Sequence, residues 1–97
     1  MSSNIYMSRK EPLNVYLKKA RQKSGLSQGD VAKELGYSSP QFISNWERGL
    51  SSPPLDTLSE LVRLYSIPGR ELVDVMVHET KQSLLAAVSR KPQRKKA

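Results

Sequence analysis

Apolar residues recur along this chain every three to four positions, in blocks separated by glycine, proline and serine. In the first block Leu13, Leu17 and Ala20 fall at i, i+4 and i+7. That spacing predicts a helix with one buried stripe, opened near Pro12 and closed by Gly25. Arg21 continues the stripe one turn above Leu17, an odd place for a charge, while Lys18, Lys19, Gln22 and Lys23 point elsewhere. A second helix follows: Ser27 can cap it, Asp30 supports its first turn, and Gly36 ends it. Val31 and Leu35 give its apolar face, and Ala32 is small enough for a close helix crossing.

The third helix has two candidate caps. Ser38 is followed three residues later by Gln41, a capping-box spacing, and Ser39 precedes Pro40, a residue suited to the first helical position. Phe42, Ile43 and Trp46 are expected to face inward, Phe42 either in the core or partly exposed, and Gly49 ends the helix. Beyond the turn-forming run LSSPP, a fourth helix is predicted from about Pro54. Its stripe is Leu55, Leu58, Val62 and Tyr65, widened by Leu61 and Leu64 and broken by Ile67-Pro68-Gly69. A last helix starts near Arg70. Leu72, Val75 and Met76 would join the core, while Val73, Val77, Leu84 and Val88 form a second stripe at i, i+4, i+11 and i+15. No alternating strand pattern and no internal repeat interrupts this order. The pattern predicts an all-α domain over 11–89, with a flexible arm at 1–10 and a disordered basic tail at 90–97.

Composition narrows the function. The 97 residues leave room for one compact domain. There is no cysteine, hence neither a disulfide framework nor a thiolate metal site. His78 is the sole histidine and has no second ligand type at metal spacing. Nucleophile–base pairs are scarce and no glycine loop could cradle a phosphate, so no enzyme and no cofactor is expected. No run is apolar enough to span a membrane, and the start MSSNIYMSRKEP does not read as a secretory signal. A cytoplasmic protein is the simplest expectation.

The net charge of +7 is unevenly spread. Residues 1–25 carry six basic side chains against Glu11, and residues 90–97 carry five against none. Residues 26–89 carry five basic and eight acidic side chains, net −3. A basic protein with an acidic middle suits nucleic acid only if the middle binds through a few placed contacts.

Such contacts are available on the third helix. Gln41 and Asn45 lie four apart and share a face, with Ser44 close by. Glutamine and asparagine can each pair in a bidentate manner with N6 and N7 of adenine in the major groove. Ser39 or Pro40 would meet the adjoining bases, Pro40 against a thymine methyl. Arg48 could reach a phosphate or satisfy the last carbonyls of the helix.

The segment Gly25-Leu26-Ser27-Gln28, Val31-Ala32, Leu35-Gly36 and Ile43-Ser44-Asn45-Trp46-Glu47-Arg48-Gly49 resembles the helix-turn-helix of the Cro/repressor-type, or XRE, family. The likeness runs from about Leu13 to Val73. It implies a five-helix, lambda-repressor-like DNA-binding domain, here with an extended last helix and a basic C-terminal tail. The chain has one residue more than is usual between Gly36 and Ile43. This leaves open which of Ser38, Ser39 and Pro40 reaches a base. The resemblance places Arg21 and Glu47 as a buried pair joining the first helix to the third, which would account for an arginine on an apolar stripe. It also assigns Gln28 to a phosphate oxygen, and Lys23, Ser38 and Arg48 join it as expected phosphate contacts. The expected partners are double-stranded DNA and a second copy of the chain. The dimer surface would be Val73, Val77, Leu84, Leu85 and Val88. The function implied is a sequence-specific, dimeric repressor reading the major groove with helix 39–48. Two others stay open: the DNA-binding antitoxin of a toxin–antitoxin pair, whose last helix or tail contacts a protein, and an adaptor using the same fold for protein contacts.

Overall fold

The computed structural model describes residues 11–90, and the expectations for the arm at 1–10 and for 91–97 lie outside them. Among the described residues five α-helices follow one another: α1 (Leu13–Lys23), α2 (Gln28–Leu35), α3 (Gln41–Glu47), α4 (Leu58–Tyr65) and α5 (Gly69–Ser89). Among the described residues there is no strand. Over these residues the architecture is all-α, as the pattern predicts, and it is the five-helix, lambda-repressor-like fold that the resemblance implies. α1 lies at its centre, packing against α3, α4 and α5, while α2 packs on α3.

The core collects Leu13, Tyr16, Leu17 and Ala20 of α1, Val31 and Ala32 of α2, and Ile43 and Trp46 of α3. Leu61 and Tyr65 of α4 and Leu72 and Val75 of α5 complete it. Tyr16 was not on the predicted stripe. It lies at i+3 from Leu13, and its hydroxyl escapes burial without a partner by donating to Glu71 Oε1 of α5 at 2.9 Å. Burial, reinforced by that carboxylate, pushes the Tyr16 phenol well above its ordinary range.

One predicted core position is corrected, and one left open is decided. Leu55 is exposed, because α4 proper starts at Leu58 and a 3-10 turn occupies Leu55–Thr57. Three residues per turn in place of 3.6 rotates Leu55 out of the stripe, which then centres on Leu61 and Tyr65. Phe42 takes the exposed of its two expected places, and its ring lies against Tyr37, with centroids 4.9 Å apart. Tyr37 in turn meets Trp46 edge-on at 6.2 Å, so it fills the inward place expected of Phe42.

The helix ends show how local chemistry sets the frame. Ser27 and Asp30 form the expected capping box: Ser27 Oγ accepts from the Asp30 N–H, and Asp30 Oδ2 accepts from the Ser27 N–H, both at 2.9 Å. The Ser27 backbone N–H, and after it the Ser27 hydroxyl, hold the Asp30 carboxyl below its ordinary range. A carboxyl with a depressed folded pKa contributes stability above its unfolded pKa and loses it as pH falls through the folded value. Acidification below about pH 4 should therefore lower the melting temperature more in the native protein than in Asp30→Ala. Equal losses in both would remove this bond from the account.

At the other end of α2, Gly36 closes the helix at φ +83°, a left-handed conformation that costs glycine little. α4 ends at the C-cap Ser66, in the left-handed region at φ 51°, directly before the predicted break at Ile67-Pro68-Gly69.

The N-terminus of α1 is capped from a distance. Pro12 offers no side-chain acceptor, and Glu79 Oε1 of α5 accepts from the Leu13 N–H at 2.5 Å. This bond ties the start of the first helix to the middle of the last. Glu79→Ala should cost roughly 1 kcal/mol, the usual worth of a helix N-cap. Chemical denaturation reads this directly, and an unchanged midpoint would show the cap to be idle.

Candidate nucleic-acid interface

The interface is built outward from a buried ion pair. Arg21 Nε donates to Glu47 Oε2 at 2.6 Å and Arg21 Nη2 to Glu47 Oε1 at 3.0 Å, a two-pronged contact from α1 to α3. Arg21 Nη1 donates to the Leu26 carbonyl at 2.8 Å, which fixes the turn between α1 and α2 as well. Asn14 Nδ2 reaches the Glu47 carbonyl at 3.3 Å. Hydrogen bonding to Glu47 raises the Arg21 pKa further above its already high value. Arg21 and Glu47 are thus joined as the resemblance implies, and the arginine sits on an apolar stripe because its partner is there.

Gln28 also points at this pair. Its Nε2 donates to Glu47 Oε1 at 2.9 Å, so the side chain expected on a phosphate is turned toward the seam between α2 and α3. One amide N–H is used there and the second is left over. Nothing in its sequence position signals this bond, because Gln28 and Glu47 are 19 residues apart.

With Ile43, Trp46 and Glu47 buried, α3 can turn only its other side outward. That side carries exposed Gln41 and Arg48 and partly buried Ser44 and Asn45. Ser38, Ser39 and Pro40 lead into it and are exposed. Neither serine caps the helix as expected. Pro40 holds the N-cap place, its carbonyl accepting from Ser44 N at 2.9 Å, and no side chain closes the end. Ser39 Oγ approaches the Gln41 N–H at only 3.4 Å. The helix starts at Gln41 and leaves both serines in the turn before it.

The outward side chains are tied together. Asn45 Oδ1 accepts from Gln41 Nε2 at 3.0 Å and from Arg48 Nη2 at 2.9 Å. Arg48 therefore binds a neighbouring side chain and not the last carbonyls of α3. Lys23, at the end of α1, is exposed.

Five helices, a capped second helix, and a third helix pinned by a buried pair with amides outside define a helix-turn-helix. The helix-turn-helix family model matches residues 17–72, more than half of the chain. The chain belongs to the XRE family of helix-turn-helix proteins. This family comprises DNA-binding transcription regulators. The HTH-type transcriptional regulator ImmR of Bacillus subtilis (strain 168) is 41% identical over 51 residues, which cover 53% of this chain. The matched segment spans 39% of that relative's length.

The last helix of this XRE-family chain leaves the domain body. Val73, Val77, Leu84, Leu85 and Val88 are all exposed on α5, and from Thr80 to Arg90 every residue is exposed. Val77, Thr80, Lys81, Leu84, Leu85 and Val88 line a shallow, almost wholly apolar groove of about 430 Å³ along it. No helix among the described residues is long and apolar enough to cross a membrane.

Proposed function

We propose that this chain is a sequence-specific double-stranded DNA-binding transcription regulator that acts as a dimeric repressor. α3 enters the major groove with Gln41, Asn45 and Ser44 facing the bases and the Ser39–Pro40 turn against the adjoining step. Lys23, Ser38, Arg48 and the second amide N–H of Gln28 lie on phosphates, where such contacts set register without reading sequence. The observation that carries this reading is the outward display of amide side chains on α3 over a rigid, buried seam. A groove-reading helix needs that combination, since an amide on a mobile helix could not discriminate bases.

One such helix reads too few base pairs to single out a site in a genome. A two-fold complex doubles the site, with half-sites about 34 Å apart or a multiple of that. The exposed apolar run on α5 supports a second copy as its cover, because isolated patches of this kind mark association surfaces. A toxin or other protein on the same face would instead appear as a heteromeric complex. Light scattering should give twice the chain mass, and a monomer at high concentration would count against the dimer.

Selection of bound sequences from a random duplex pool tests the whole reading. The expected result is enrichment of a two-fold site. Failure to retain any duplex at low salt would favour the adaptor reading.

A further inference from the structure

We propose that Asn45 is a positioning residue: its side-chain oxygen, held by Arg48, grips one amide N–H of Gln41 and presents the remaining edge of Gln41 to an adenine. This rests on the reading of α3 as a DNA-reading helix and deepens it.

The assignment of atoms follows from donor chemistry. Arginine carries only donors, so the Asn45 atom that meets Arg48 Nη2 must be the oxygen. The same oxygen meets Gln41, so the Gln41 atom there must be the nitrogen. Both lone pairs of Asn45 Oδ1 are then engaged. A bidentate contact to adenine needs an amide oxygen to accept from N6–H and an amide N–H to donate to N7. Asn45 as held has no acceptor left for it. Gln41 has spent one N–H and keeps Oε1 and its second N–H, an acceptor beside a donor.

Exposure agrees with this division of labour. Gln41 is exposed and Asn45 partly buried. Gln41 also gains most from being held, because a long side chain loses rotamer freedom when it is fixed on a partner. Restraint by Asn45 removes part of that loss before DNA arrives. Arg48 contributes by keeping the Asn45 amide from flipping.

The test is base-resolved binding of the full chain to a random duplex pool. The variants are Gln41→Ala, Asn45→Ala, Asn45→Asp and the double alanine. Both positions lie at the surface, and unchanged melting temperatures check that the fold is kept. Gln41→Ala should lose an A·T preference at one base pair per half-site, a discrimination of about tenfold or more. Asn45→Ala should relax that same base pair and no other, and the double variant should be no worse than Gln41→Ala alone. Asn45→Asp keeps the oxygen and should keep the base preference, although its charge weakens affinity for every duplex. The proposal is overturned if Asn45→Ala relaxes a different base pair, if the two alanine losses add, or if Asn45→Asp behaves as Asn45→Ala does. In these three cases the native protein still selects a site, so the DNA-binding reading stands. A native protein that enriches no sequence would overturn both.

Discussion

Glu47→Ala is expected to destabilise the domain by about 3–5 kcal/mol, because it leaves the buried Arg21 guanidinium without its counter-charge. The Glu47 carboxylate accepts from Arg21 Nε, Arg21 Nη2 and Gln28 Nε2, so three donors lose their acceptor together. The side chain of Glu47 is 3% exposed and that of Arg21 11%, so water cannot replace the lost partner readily. Arg21→Met should cost a similar amount, because it keeps apolar volume but strands the more buried Glu47 carboxylate with Gln28 as its remaining side-chain donor. Urea denaturation of the two variants and of the pair Arg21→Met/Glu47→Met separates the terms. The paired replacement should recover much of the loss, since a well-packed apolar pair can match a buried ion pair. A loss below about 1 kcal/mol for Glu47→Ala would place the pair among solvated surface bridges. The same variant should lose DNA binding, because α3 is anchored to α1 through this contact.

The second large effect is on affinity. Raising salt from about 50 to about 200 mM should weaken DNA binding about a thousandfold, the loss expected when six or more phosphate contacts release their counterions. A two-fold complex reaches that number if each chain contributes three from Lys23, Arg48 and the basic residues at its ends. The segment 26–89 is net −3, so bulk attraction must come from those basic ends. Fluorescence anisotropy of a labelled duplex across a salt series measures the slope. Removing residues 90–97 should weaken binding and make the slope shallower to the same degree on selected and random duplexes. A slope near zero would mean that phosphates are not the main contacts.

Much of the fold could be read from spacing alone. Where one face is buried and glycine or serine marks the ends, as in α1 and α2, the predicted helix and its stripe agree with the structure. One core side chain was misplaced: Leu55 lies in a 3-10 turn, where the 3.6 period does not hold. A hydrophobic stripe carries no sign of such a local change of pitch. Glu79, Asn14 and the Tyr16 hydroxyl were missed for a different reason. Each makes a bond across at least 33 residues of sequence, and nothing in the order of residues marks it.

The candidate interface was legible in part. Amides four apart on one helix pointed to Gln41 and Asn45, and the resemblance pointed to Arg21 with Glu47. What spacing could not give is the direction of the hydrogen bonds. Gln41, Asn45 and Arg48 form one connected group in which a single oxygen accepts from two donors. On the role proposed above for Asn45, that connection would make Gln41 the reader and Asn45 its support. Gln28 is bent toward Glu47 by the same seam that orients α3.

The outward face of α3 is proposed to lie in the major groove of double-stranded DNA. This placement is tested most directly on the selected duplex by replacing purines, one position at a time, with 7-deazapurines. This change removes a major-groove acceptor and leaves base pairing and the minor groove intact. A cluster of purine positions in each half-site should lose binding about fivefold or more on substitution. Full affinity at every substituted position would place the helix elsewhere and contradict the account.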